Sequence, residues 1–284
     1  MHISEQQDGP VKLPWCLLRV PPFPQVATKV LQLISNDNSS LAQLSSLITA
    51  DQAFSTEILT IANSPLYAFR TQVASILQGI ATLGLDRLKG IAVTVALRGY
   101  LGRSLETPAL RALWRHSLAC AFLAETSAAY SLLSVGAAYT AGIMHDIGRV
   151  ALAIVHPEEY TALLQSGVAS QSDLLEREKG LFGIDHCELG RQLSTDWRLP
   201  SLLADVTFRH HATTTPISGN EPLGSVCFAC KAADAIGYAV APSLSCSFRE
   251  LLDAFPNHRS EFSPSRLEEL SVWISTQIDS IESG

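Results

Sequence analysis

Apolar positions along this chain recur at helical spacing almost everywhere. Leu41, Leu44, Leu47 and Ile48 line one side of a helix that follows Ser40, with Gln43 three residues on in the manner of a capping box. Thr107-Pro108 and Ser263-Pro264 each set a cap ahead of a first-turn proline, where a missing N–H is harmless. Asp185 with Glu188 marks another helix start, and Leu199-Pro200 opens one more. Strict alternation of apolar and polar positions, the mark of a half-buried strand, is essentially absent, as are repeats and low-complexity tracts. The pattern predicts an all-α fold.

The longest apolar stretch, Val135 to Val155, is long enough to resemble a membrane span. His145, Asp146 and Arg149 interrupt it, and each is costly in hydrocarbon. A buried helix of a soluble protein is expected instead. Three regions are expected along the chain. Residues 13 to about 104 form a first helical lobe without histidine. Residues 105 to about 243 form a second. Residues 244 to 284, after the break Ala241-Pro242-Ser243, add helices that pack back on the body. Arg103-Ser104-Leu105-Glu106 is too short to be a polar linker, so the two lobes are expected to be packed together.

Composition narrows the class. Of 284 residues 47% are apolar and 17% charged, which allows a substantial core and argues against wholesale disorder. The formal charge of −7, with no basic stripe to offset it, argues against a nucleic-acid partner. Cys16, Cys120, Cys187, Cys227, Cys230 and Cys246 are scattered rather than framed, which fits a reducing cytoplasm. Met1 to Pro14 is polar and carries Glu5, Asp8 and Pro10, so no secretory leader is expected.

Six of the eight histidines fall between His116 and His211. The ordered candidates are His116, His145-Asp146, His186, His210-His211 and Asp234. Imidazole and carboxylate together suit divalent transition metals, with zinc, iron and manganese the usual occupants. His145 and Asp146 lie in Gly142-Ile143-Met144-His145-Asp146-Ile147-Gly148-Arg149. As helix neighbours their side chains would diverge by about 100°. Both can still face one cavity, with Asp146 bridging a pair of ions. His116, in Trp114-Arg115-His116-Ser117-Leu118-Ala119-Cys120, and Asp234, on an apolar stretch after Cys230-Lys231, are polar groups that burial penalises unless something binds them.

Ordinary readings stand beside this one. Any single histidine is more often a hydrogen-bonded residue than a ligand. His210-His211 also suits a helix C-terminus, His156 precedes a proline, and His2 and His258 fall in loops. Cys227-Phe228-Ala229-Cys230 has metal-like spacing but no second pair, and reads as structural. No phosphate loop or nucleophile elbow is present.

The ordered set His116, His145-Asp146, His210 and Asp234 resembles the metal-binding pattern of the HD phosphohydrolase superfamily, and His186 and His211 match the extra histidines of its binuclear members. Further motifs resemble the bacterial HDOD family, the HD-related output domain. These are Leu13-Pro14, Pro21-Pro22-Phe23-Pro24-Gln25-Val26-Ala27, Leu59 to Tyr67 with Asn63-Ser64-Pro65-Leu66, Ile80 to Leu88, Gly183 to Gly190, and Trp197-Arg198-Leu199-Pro200. The resemblance covers roughly residues 13 to 241. It implies two packed helical lobes, the second an HD-type bundle holding one or two ions of iron, manganese or zinc.

The resemblance also implies a role as an output or scaffold module in bacterial signalling, acting on a protein partner. The alternative is a metal-dependent phosphohydrolase, a phosphomonoesterase or phosphodiesterase acting on a phosphorylated or nucleotide small molecule. In that case Asp146 and Arg149 are the catalytic candidates, and Arg149 and Lys231 are candidates for phosphate contact. Relatives that cleave cyclic dinucleotides follow the paired histidines with an acid and a Gly-Tyr-Pro element. Here Ala212-Thr213-Thr214 follows His211 and no Gly-Tyr-Pro occurs. The same relatives carry lysine where this chain has Arg149, whose planar fork binds differently.

Overall fold

The computed structural model describes residues 20–34, 41–64, 67, 72–130, 134–211 and 222–283. The motif residues Leu13-Pro14 and Pro65-Leu66, the expected cap Ser40, Cys16, and Ala212-Thr213-Thr214 lie outside the described residues. Those described are all-α, with no strand among them.

The first five helices are α1 (Gln25–Ile34), α2 (Leu41–Thr49), α3 (Gln52–Ala62), α4 (Ile76–Leu83) and α5 (Leu85–Leu101). Helices α1, α3 and α4 pack against α5, with α2 resting on those three, and α5 is buried from Leu88 to Leu97. Asn63, one of the motif residues, ties the chain after α3. Its amide donates to the Val73 carbonyl at 2.9 Å and accepts from the Val73 N–H at 2.7 Å.

Next come α6 (Pro108–Ala129), α7 (Val135–Met144), α8 (Ile147–Val155), α9 (Pro157–Gln165), α10 (Gln171–Phe182), α11 (His186–Asp196), α12 (Ser201–Arg209) and α13 (Pro222–Ala233), the last running into a π-helical turn, Asp234–Tyr238. Several starts follow the sequence signals: Thr107 takes the N-cap position of α6, without a capping bond, ahead of Pro108 in the first turn, Asp185 accepts the Glu188 N–H at 2.8 Å to open α11, and Pro200 precedes α12.

The run from Val135 to Val155 departs from the expected single helix. It breaks at His145 and Asp146, with Asp146 at φ −100°, ψ 21° as the N-cap of α8. An aspartate in that position usually accepts an N–H of the first turn. Here its side chain makes no capping bond and turns into the protein instead. The two site residues therefore occupy a corner between helices rather than successive positions on one. No helix of the described residues is long and apolar enough to cross a membrane.

Close helix approaches set this corner. A Cβ on Gly142 would meet Ala121 Cα at 2.8 Å, so only glycine lets α7 lie this near α6 and bring His145 to His116. A Cβ on Gly148 would collide with the His186 carbonyl and stand 2.6 Å from the Gly190 nitrogen, so α8 rests directly on α11. The first five helices meet the rest through Gly90 against Tyr139, a Thr94–Tyr139 hydroxyl pair at 2.9 Å, and Phe23 stacked on Trp197 at 5.1 Å.

Helices α14 (Phe248–Ala254) and α15 (Pro264–Ser283) close the fold. α15 buries Leu267, Leu270, Ile274, Ile278 and Ile281 at helical spacing, and Arg115 of α6 holds its end through Asp279 at 3.0 Å and Glu282 at 2.6 Å. One continuous hydrophobic core runs from Phe23 to Ile281.

Candidate metal centre

Asp146 sits at the middle of the polar cluster. His116 comes from α6, His145 from the end of α7, Arg149 from α8, His186 from the start of α11, and His210 and His211 from the end of α12. Each of these except His211 is at most 2% exposed. His116 Nε2 lies 3.9 Å and His145 Nε2 3.6 Å from Asp146 Oδ2, while His210 Nε2 is 3.1 Å and His186 Nε2 3.7 Å from Oδ1. The sequence candidates, spread over 96 positions from His116 to His211, thus converge on one carboxylate.

Each ring is held from behind. His116 Nδ1 is 2.8 Å from the Tyr238 carbonyl, His145 Nδ1 2.6 Å from that of Gly142, and His210 Nδ1 2.9 Å from that of Thr207. A carbonyl can only accept, so each Nδ1 carries the proton and each Nε2 turns a lone pair inward. Outer hydrogen bonds of this kind orient and tautomerise metal-ligating histidines.

Inside, several atoms have no hydrogen-bond partner: Nε2 of His145 and His210 and both oxygens of Asp146. Leaving a buried polar group unpaired costs about 1–3 kcal/mol each. Four such atoms aimed at one place are hard to explain in a folded chain unless a ligand completes them. Donors held about 2.0–2.1 Å from one ion lie a little over 3 Å apart, close to the 3.1–3.9 Å found here. On chemistry and spacing His116, His145, Asp146 and His210 fit a transition ion.

Electrostatics agree. Burial pushes the Asp146 carboxyl up, but the Arg149 charge, with His145, outweighs it and holds the group well below the usual carboxylate range. Burial pushes the His145 and His210 imidazoles down, which keeps them neutral as a ligand must be.

Asp234 is at the edge. Its Oδ1 is buried, lacks a hydrogen-bond partner, and lies 3.8 Å from Nδ1 of His116, on the outer side of that ring. Burial raises its pKa. Lys231, the second phosphate candidate, is half-buried three residues earlier, and its charge favours the ionised Asp234. Cys230 comes closer than either: its Sγ is 3.7 Å from His116 Nε2 and groups with His116 and His145 as a possible ligand atom. Burial pushes its thiol well up. Cys227 faces elsewhere, toward the Arg209 carbonyl, so the pair is not a two-cysteine site. The signal for Cys230 lay in its four-residue spacing to Asp234, which puts both on one helix face.

On the opposite flank His186, Cys187, His210 and His211 also stand close enough to share an ion, but most of the inward atoms there already have partners. Arg149 Nη2 lies 2.9 Å from His186 Nε2 and 3.1 Å from His211 Nε2, and its Nε is 3.2 Å from Asp146 Oδ2. Glu178 of α10 accepts from His186 Nδ1 at 2.6 Å, from the His186 backbone N–H at 2.8 Å and from the Tyr160 hydroxyl at 2.7 Å. Burial and Arg149 push the His186 pKa down, while Cys187 and Glu178 push it up and prevail, to about 10, which by itself would favour a second proton. The 2.9 Å contact with a guanidinium, which has only donors, decides for the neutral ring. Glu178 and Tyr160 carried no sequence signal as site residues.

A protein of Treponema pallidum is 23% identical over 221 residues, covering 74% of this chain; the chain spans 42% of that protein's length. Among solved structures, an HDOD domain protein of unknown function from Geobacter sulfurreducens superposes with a TM-score of 0.69 at 22% identity, over 93% of this chain and 91% of that one. A protein of Marinobacter aquaeolei provisionally named for signal transduction gives 0.65 at 21%, over 94% and 59%. A protein of Shewanella amazonensis provisionally named a metal-dependent phosphohydrolase gives 0.62 at 21%, over 91% and 92%. At these identities the likeness is one of fold. The HDOD domain model matches residues 20–213, which takes in both the helices around α5 and the histidine cluster, and the chain belongs to the HDOD family.

Proposed function

We propose that this protein is a bacterial signalling output module. A transition-metal centre at His116, His145, Asp146 and His210, with Asp234 beside His116, fixes the shape of the second lobe, and the first lobe meets a partner protein. The carrying observation is the set of inward donors without partners inside a closed shell, where His116, His145, Asp146 and Asp234 are each 1% exposed. A structural centre is buried in this way, whereas a hydrolytic one needs an open coordination position and a pocket for substrate. The fold likeness to the Marinobacter protein supports a signalling role. The described cysteines are all unpaired, which supports a reducing cytoplasm.

The fold likeness to the Shewanella protein favours a second reading, metal-dependent phosphoester hydrolysis. A bound ion would supply Lewis acidity toward a phosphoryl oxygen. Asp146 would hold that ion, and Arg149 would lend its charge from the far side. Arg149 is 1% exposed and already bonded to two histidines, which favours the first reading.

Elemental analysis of the purified protein, alongside turnover assays with manganese or iron supplied, separates the two. The expected result is bound metal with no cleavage of cyclic dinucleotides. Slow hydrolysis of activated model esters is compatible with it. Robust cleavage that vanishes in a His145→Ala, Asp146→Ala double variant makes the protein an enzyme.

A further inference from the structure

His186 and His211 present two Nε2 atoms 3.2 Å apart, the spacing of two ligands on one ion. With His210 they are the residues expected to complete a second metal position. Between them lies a nitrogen of another kind, Arg149 Nη2, at 2.9 Å and 3.1 Å. The terminal nitrogen of a guanidinium carries two hydrogens and no lone pair to share. It can meet both rings only by donating one hydrogen to each, along the lone pairs that an ion would need, which leaves Gln171 Oε1 as a third, more distant acceptor at 3.5 Å. Glu178 fixes the proton of His186 on Nδ1, so Nε2 is the acceptor that this geometry requires.

We infer that the Arg149 guanidinium stands in the place of a second ion, so that the centre takes one metal and His186 and His211 are not ligands. The charge already sits where a divalent cation would bring it: Nε of Arg149 lies 3.2 Å from Asp146 Oδ2. Arginine does not lose its proton in proteins, so it cannot become neutral to make room. Nor is it free to swing away, since the side chain is 1% exposed. Nη1 alone of its nitrogens has neither a hydrogen bond nor an ion pair. The flank built from Arg149, His186, His211, Glu178 and Tyr160 is then a metal-independent network that shares Asp146 with the ion.

This inference rests on the metal centre proposed above, and metal stoichiometry separates the two. Wild type, Arg149→Gln, His211→Ala and the Arg149→Gln, His211→Ala double variant are loaded with manganese, iron or zinc, desalted, and measured by elemental analysis and native mass spectrometry. The expected counts are one ion in wild type and in His211→Ala, two in Arg149→Gln, and one in the double variant. Two ions in wild type, one in Arg149→Gln, or loss of the ion in His211→Ala overturns the inference and leaves the centre standing. No ion in wild type but one in Arg149→Gln, lost again in the double variant, removes the centre and upholds the role of Arg149. No ion in any variant overturns both. Should Arg149→Gln fail to fold, His211→Ala decides, because His211 is partly exposed and its replacement leaves the packing intact.

Discussion

The two flanks of Asp146 contain the same kinds of residue and behave differently. On one, His145 and His210 turn nitrogens without a hydrogen-bond partner toward the Asp146 carboxylate, whose oxygens also lack one and have only the Arg149 ion pair at Oδ2. On the other, His186 and His211 accept from Arg149, and Glu178 and Tyr160 finish the chain of contacts. Histidine spacing gathers both flanks without distinguishing them. What distinguishes them is whether each inward atom already has a partner, and that depends on a single guanidinium. The unpaired flank asks for a ligand; the paired flank leaves only Arg149 Nη1 without a partner.

The change that tests this contrast most severely is Asp146→Ala, because both flanks use the same carboxylate. It removes a ligand from one and leaves the Arg149 guanidinium buried without its counter-charge on the other. Breaking a buried pair in this way costs about 3–5 kcal/mol. The loss is expected in metal-free protein too, measured by urea denaturation in the presence of chelator. A metal-free loss below about 1 kcal/mol would mean that Arg149 does not depend on Asp146.

Next in size is the response to metal. An ion that binds only the folded chain stabilises it by about 2.7 kcal/mol when supplied at a hundred times its dissociation constant. His145→Ala is expected to abolish that gain, and His211→Ala to leave it whole. Equal losses in both variants would erase the difference between the flanks.

Much of this arrangement was legible in the sequence. The cap at Thr107-Pro108, the Asp185–Glu188 start and Pro200 each open a helix where local chemistry places one. The corner at His145–Asp146 was not legible, because apolar residues continue on both sides and neither proline nor a left-handed glycine marks the break. It exists because Gly142 and Gly148 let α7 and α8 approach different neighbours, a tertiary effect. Glu178 was invisible for a related reason. It lies on α10, whose sequence Gln171 to Phe182 is mostly polar and reads as a solvated face, yet Glu178 itself is fully buried under His186. Arg149 stood out as a charge near the motif. Its histidine partners lie 37 and 62 residues further on, and no local pattern assigns them.

Glu178→Gln tests the paired flank alone. Gln keeps the shape and one acceptor oxygen, but it takes the negative charge away from His186. The expected cost is about 1–3 kcal/mol, the range for a buried hydrogen bond to a charged group, with metal content unchanged. Loss of metal in this variant would place His186 among the ligands after all.

The smallest effect expected is acid sensitivity, and it separates the flanks by pH. In metal-free protein, burial pulls the His145 and His210 imidazoles below their ordinary value, so the folded rings stay neutral while the unfolded chain takes up protons near pH 6.5. Their stabilising contribution is present above that pH and declines as pH falls toward the folded values. By linkage each ring gives up at most about 0.7 kcal/mol between pH 7 and pH 6. Across Asp146 the sign is the same but the window is lower. Asp146 and Glu178 are held below the usual carboxylate range, chiefly by Arg149 for the first and His186 for the second, against the upward push of burial. Their contribution persists below pH 5 and is lost only as pH drops through the folded carboxylate values. Denaturation of wild type and His145→Ala with chelator, at pH 7 and pH 6, isolates one ring's share as the difference between their two losses. No difference between them would mean that His145 is not the neutral, inward-facing donor that the unpaired flank requires.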